Sequence, residues 1–157
     1  MAAASRERRT VRSAIAAAYG TQDPEVIEVG PQLRQVAPAL FERLGRRPLP
    51  TAIFALTSIA TLGSLMALSQ RGLAMPEEVS LMGFDDYEWM QVVHPAISAV
   101  RQPVAELARA AWQRLVARLA GDTAPPERVR LACSLELRSS TAAPVATHRS
   151  RRSTAPP

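Results

Sequence analysis

The chain has 157 residues, enough for one domain with a sizeable core. Hydrophobic residues make up 47% and charged residues 21%, an ordinary globular balance, and there is no run of about 18 apolar residues that would span a bilayer. The net charge of +5 is carried entirely by arginine, which beside the abundant alanine reads as genome bias rather than a nucleic-acid surface, and the single Cys133 excludes an internal disulfide and a cysteine-based metal site.

In chain order, Arg6 to Tyr19 has a helical pattern, with Val11, Ala14, Ile15, Ala18 and Tyr19 at spacings of three and four and Gly20 as the stop. Val26 to Val29 reads as a short strand. The next helix carries Val36, Ala37, Leu40 and Leu44 on one stripe and ends at Gly45. Pro38 removes an amide donor, so the regular helix is expected to begin near Ala37 with the proline in its first turn. Thr51 to Leu56 is a continuous apolar run, as expected of a strand buried on both faces. Ser58 is placed to cap a helix whose broad apolar face is Ile59, Leu62, Leu65, Met66 and Ser69, ending at Gly72.

Val79 to Phe84 is a second buried strand, and Asp85 and Asp86 open a turn or short helix through Met90. Trp89 and Met90 read as surface or interface residues, and His94 as a loop residue without metal spacing. Ala99 to Gln102 is extended, and the longest helix runs from Pro103 to about Ala120. Its apolar face includes Leu107, Trp112, Leu115 and Leu119, with Trp112 expected in the core. Arg128 to Leu137 reads as a last strand. The Pro/Ser/Thr-rich tail from 143 to 157, with three arginines, has the composition of a disordered segment.

Alternation of helix and strand in this rhythm argues for an α/β fold with a parallel sheet flanked by helices. Ligands of such sheets sit beyond the carboxyl ends of the strands, where Thr57, Ser58, Asp85 and Asp86 stand. No phosphate loop, nucleophile elbow, Cys/His pair or metal cluster is apparent, so neither an enzyme nor a cofactor is expected.

The segments PTAIFA, LGSLMAL, RGLAMPEEVSLMGFDD, Pro95 and VRQP, in register, resemble the effector-binding domain of LacI/GalR-type bacterial transcriptional regulators. The resemblance implies a type I periplasmic-binding-protein-like fold of two α/β subdomains with a small-molecule effector between them. This chain resembles mainly the C-terminal subdomain. Residues 5 to 142 form a partial sensor domain, with 6 to 98 as that subdomain and 99 to 138 as crossover, long helix and strand. The long helix and last strand would pack on the other subdomain, and the DNA-reading helix-turn-helix headpiece has no counterpart in the chain.

The same resemblance assigns roles to residues. Asp85 matches the first acidic residue of the family's GFDD motif, which binds effector hydroxyls or amines. A carboxylate suits that task, and equally suits capping the turn that follows. Asp86 is expected to hold local structure. Thr57 and Ser58 fall where many members carry Asn-Asp; hydroxyls keep hydrogen bonding but lose the bidentate amide. Arg8 is the candidate for the family's effector-binding arginine, with a solvated basic face as its plain alternative. Arg101 and Gln102 are expected to make hinge contacts. Leu62, Leu65, Met66 and Met82 are candidates for a homodimer face, with core packing as the alternative.

The expected function is ligand sensing for a LacI-type regulator in the cytoplasm, with a sugar or sugar-like effector that modulates operator binding. DNA would be read only through a headpiece outside this chain. A sugar-binding protein of transport or signalling, and a truncated regulator fragment able only to dimerise, are the rival readings. With half of its cleft, the chain by itself is expected to bind effector weakly.

Overall fold

The computed structural model describes residues 24–144. The expected helix at 6–19, Arg8 within it, and most of the tail lie outside the described residues. The elements are α1 (Leu33–Leu44), β1 (Ala52–Phe54), α2 (Ser58–Arg71), β2 (Ser80–Phe84), α3 (Trp89–Val92), β3 (Ser98–Arg101), α4 (Val104–Leu119) and β4 (Ser134–Glu136). One four-stranded sheet has the order β1-β2-β3-β4. β1, β2 and β3 run parallel and β4 closes the edge antiparallel to β3.

α1 forms where the stripe of Val36, Ala37, Leu40 and Leu44 predicts, and all four are buried. It starts at Leu33, four residues earlier than expected, with Pro38 in its interior. The proline leaves the Arg34 carbonyl without its helical donor, but both residues are exposed, so water can serve that carbonyl. The Gln35 side chain reaches back to the Gln32 amide and steadies the first turn. Residues 26–29 form no strand. Pro24 and Pro31 bracket the segment, and Val26 and Ile27 stay exposed while Val29 packs against the core.

α2 reverses the expected assignment of its faces. Thr61, Gly63, Ser64, Ala67 and Leu68 are buried, whereas Ile59 and Met66 are exposed and Leu62 and Leu65 only partly covered. The small face wins because the backbones come close. A Cβ on Gly63 would lie 2.5 Å from the Val36 side chain, so this glycine sets the approach of α1 to α2. The hydroxyls of Thr61 and Ser64 are satisfied by the carbonyls one turn earlier, Thr57 and Ala60. Gly72, at φ 64, ends the helix in the left-handed conformation.

The core lies between these helices and one face of the sheet: Val36, Leu40, Leu44, Leu68, Val79, Leu81, Met90, Ile97 and Ala99 belong to one cluster. Met90 is therefore core rather than surface, and Trp89 is partly buried beside it. β1 is not buried on both faces as expected. Phe54 is 52% exposed, with its ring tilted against that of Phe84 on the neighbouring strand.

β4 is shorter than the expected strand. Its ladder ends where Arg101 pairs with Ser134, because β3 gives way to α4 beyond that point and the preceding residues have no partner strand. The chain after β4 compensates with a side-chain seam. Buried Ser140 accepts from Ser98 N at 2.8 Å and donates to Leu81 O at 2.6 Å, while Leu81 N donates to Ser140 O. α4 has no buried residue, and Trp112 is 65% exposed, contrary to its expected core position. Nothing among the described residues packs over its apolar stripe. Its C-terminal end is held by Arg114 and Arg118, which donate to the carbonyls of Asp122, Ala124 and Pro125.

Candidate functional site

The carboxyl ends of β1 and β2 lie side by side. Phe54 pairs with Met82, and three residues beyond each stand Thr57 and Asp85. Thr57, not Ser58, is the helix cap: its Oγ1 accepts from Ala60 N at 3.0 Å. The cap fixes that hydroxyl at an exposed position beyond the sheet, where its proton can still be donated. Ser58 is the partly buried first residue of α2.

The two aspartates after β2 have separate fates. Asp85 has φ 63, a left-handed backbone, and its amide donates to Val100 O at 2.9 Å. Asp85 is half-buried as a residue, and its carboxylate takes one side-chain hydrogen bond among the described residues, from Gln102 Nε2 to Oδ1. The remaining lone pairs can accept from a hydroxyl or amine. Asp86 turns inward and its side chain is fully buried. It pairs with Arg101 and with Arg138, whose Nη1 lies 2.7 Å from Oδ1 and whose Nη2 donates to Oδ2 at 2.9 Å. The hydrogen bond from Arg138 is the main cause holding the Asp86 carboxyl below the usual carboxylate range. Burial opposes it, and Arg101 adds to it. Both guanidinium groups are pushed above the usual arginine value by the same contact.

Asp86 thus has the local structural placement expected of it, and Arg101 and Gln102 contact the acidic pair from the crossover. Arg138 carried no signal in the sequence: it is 52 residues from Asp86 and is aimed there by the seam after β4, with its own amide on Ser98 Oγ and its Nη1 on Ile97 O.

The candidate dimer residues do not share a surface. Leu62, Leu65 and Met66 are on α2, where Leu65 and Met66 line a shallow groove of about 340 Å³ with Ser69 and Gln70. Met82 points to the other side of the sheet. Strand side chains alternate, and its neighbour Gly83 is the one that faces Thr61 of α2. A larger trough of about 690 Å³ lies at the opposite end of the sheet, lined by Arg47, Pro50, Thr51, Pro76, Glu78 and Ser80 among others. It does not adjoin Asp85. Among the described residues no helix is long and apolar enough to cross a membrane, and no group of three His, Cys, Asp or Glu could hold a metal.

Residues 2–141 match the model of the periplasmic binding protein-like domain. The HTH-type transcriptional regulator PtxS of Pseudomonas aeruginosa is 38% identical over 94 residues, 60% of this chain and 28% of that protein. A LacI family transcriptional regulator from Bifidobacterium animalis has the same fold over 90% of this chain and 51% of its own, at a TM-score of 0.78 and 25% identity. The regulator CelR in complex with cellobiose matches over 80% of this chain and 39% of its own, with a TM-score of 0.72 and 30% identity. The chain thus spans about half the length, or less, of the proteins it matches.

Proposed function

We propose that this chain, which belongs to the periplasmic binding protein-like domain family, is the ligand-sensing part of a LacI-type transcriptional regulator and receives a small sugar-like effector at the carboxyl ends of β1 and β2. The relatives it matches are transcriptional regulators rather than enzymes. The observation that carries the site is Asp85: a half-buried aspartate beyond a buried strand, held in a left-handed turn, whose carboxylate takes one side-chain hydrogen bond among the described residues and keeps acceptor capacity. Thr57, capping the neighbouring helix, supplies a hydroxyl at the same end of the sheet. A sugar offers adjacent hydroxyls that donate to such a carboxylate, and the charge makes these hydrogen bonds stronger than neutral ones. Cellobiose, the ligand of the CelR complex, is one member of that class.

In the intact regulator, binding would favour one arrangement of the sensor over another and so alter DNA affinity. That requires an effector with different affinity for the two states. A cytoplasmic location, DNA contact through a separate headpiece and homodimerisation through the outward side of α2 complete the proposal.

The test is a saturation-transfer NMR screen of the 157-residue chain against a panel of mono- and disaccharides that includes cellobiose. The method detects millimolar affinity, which suits the weak binding expected of half a cleft. Transfer to at least one sugar, lost in Asp85→Asn, is the expected result. No transfer to any sugar, or transfer indifferent to Asp85→Asn, contradicts the proposal.

A further inference from the structure

We infer that Asp86 is a positioning residue: its buried carboxylate, through Arg101 and Arg138, holds the turn that presents Asp85 and seats Gln102 against it. The register of β2 and β3 sets Phe84 beside Val100. Continued strands would then set Asp85 beside Arg101 and Asp86 beside Gln102. The side chains pair crosswise instead, Asp85 with Gln102 and Asp86 with Arg101. The crossing begins at Asp85, which keeps one more rung through its amide on Val100 O and then turns out of the strand at φ 63. Tyr87 N closes the turn on Asp85 O at 2.9 Å. A left-handed backbone costs a residue with a Cβ some energy, less for an aspartate than for most, so contacts that fix the turn favour it.

The hold comes from Asp86. Its side chain has no exposure, so the carboxylate cannot leave its two arginines without becoming an unpaired buried charge. Arg101 ties it to the last residue of β3, directly before Gln102. Arg138 ties it to the start of β3, through the Ile97 carbonyl and Ser98 hydroxyl. One carboxylate therefore engages both ends of β3 and fixes where Gln102 emerges. The use of this arrangement in ligand recognition rests on Asp85 being the ligand contact proposed above, but the arrangement itself is open to a test without ligand.

That test is NMR of the isotope-labelled full chain, reading the Gln102 side-chain amide protons and the Asp85 Cα and Cβ shifts, which report φ. In the wild type the Gln102 protons should be displaced from the free-amide position and Asp85 should show left-handed shifts. Asp86→Asn and Arg101→Gln should each return the Gln102 protons to the free position and move the Asp85 shifts toward extended values. Leu68→Ala, a core loss in α2, should leave both signals in place while lowering stability. Unchanged signals in the two polar variants overturn the inference, and so does an equal change in Leu68→Ala, which would reduce Asp86 to general support. If Asp86→Asn does not fold, Arg101→Gln decides, because Arg138 still pairs with the carboxylate there.

Discussion

Residues 33–100 and the arm formed by α4 contain similar apolar material and use it in opposite ways. α1 and α2 bury their stripes against each other and the sheet, down to Leu68 at 2% exposure. α4 carries Val104, Leu107, Trp112, Leu115 and Leu119 along one side and buries none of them. An amphipathic helix takes most of its stability in a protein from packing that side. The first region is a closed unit with a filled core. The second is an exposed apolar face whose C-terminal end is tied by Arg114 and Arg118 to the 122–125 loop that follows it. Thr57 and Asp85 belong to the closed region, while the side chains that organise the acidic pair, Arg101, Gln102 and Arg138, come from outside it.

The largest effect that should separate the two regions is a core truncation. Leu68→Ala should cost about 2–5 kcal/mol in urea unfolding, through lost burial and the cavity left behind. A cost below about 1 kcal/mol would mean that the α2 layer is looser than its burial indicates.

A smaller effect should appear in acid. The folded pKa of Asp86 is depressed, so the unfolded state binds its proton more readily than the folded state. The stability it contributes is fully present above the unfolded value of about 3.9. It is lost as pH falls through the lower folded value. Wild type should therefore lose stability with falling pH more steeply below about pH 4 than Asp86→Asn. Parallel pH profiles for the two proteins would remove the ion pair from the account of the closed region.

The smallest effect is expected on the arm. Trp112→Ala should change unfolding of the dilute chain by no more than about 0.5 kcal/mol, since a surface substitution removes little packing. A loss comparable to that of Leu68→Ala would show that α4 is covered in solution and would erase the contrast.

What the sequence revealed follows the same division. The stripe Val36, Ala37, Leu40 and Leu44 located α1, the run through Leu81 located β2, and Gly72 and Gly121 marked helix ends at positive φ. These signals are local and periodic. The faces of α2 were misassigned because apolarity suggested Leu62 and Met66, whereas close approach at Gly63 selected the small residues. Trp112 was misplaced for a related reason: an apolar stripe says that a helix wants cover, not that cover is present. At the site, the GFDD motif pointed to Asp85 and Thr57 lay at the end of its strand. The contacts that organise them, from Gln102, Arg101 and Arg138, join residues 15 to 52 positions apart and have no periodic signature.

Effector contact at the carboxyl ends of β1 and β2 is tested by a residue-resolved NMR titration of the chain with a sugar that passes the saturation-transfer screen. The amide signals of Thr57, Ser58 and Asp85 should move together and saturate on one curve. Shifts gathered instead around Thr51, Glu78 and Ser80, at the trough on the other end of the sheet, would contradict it.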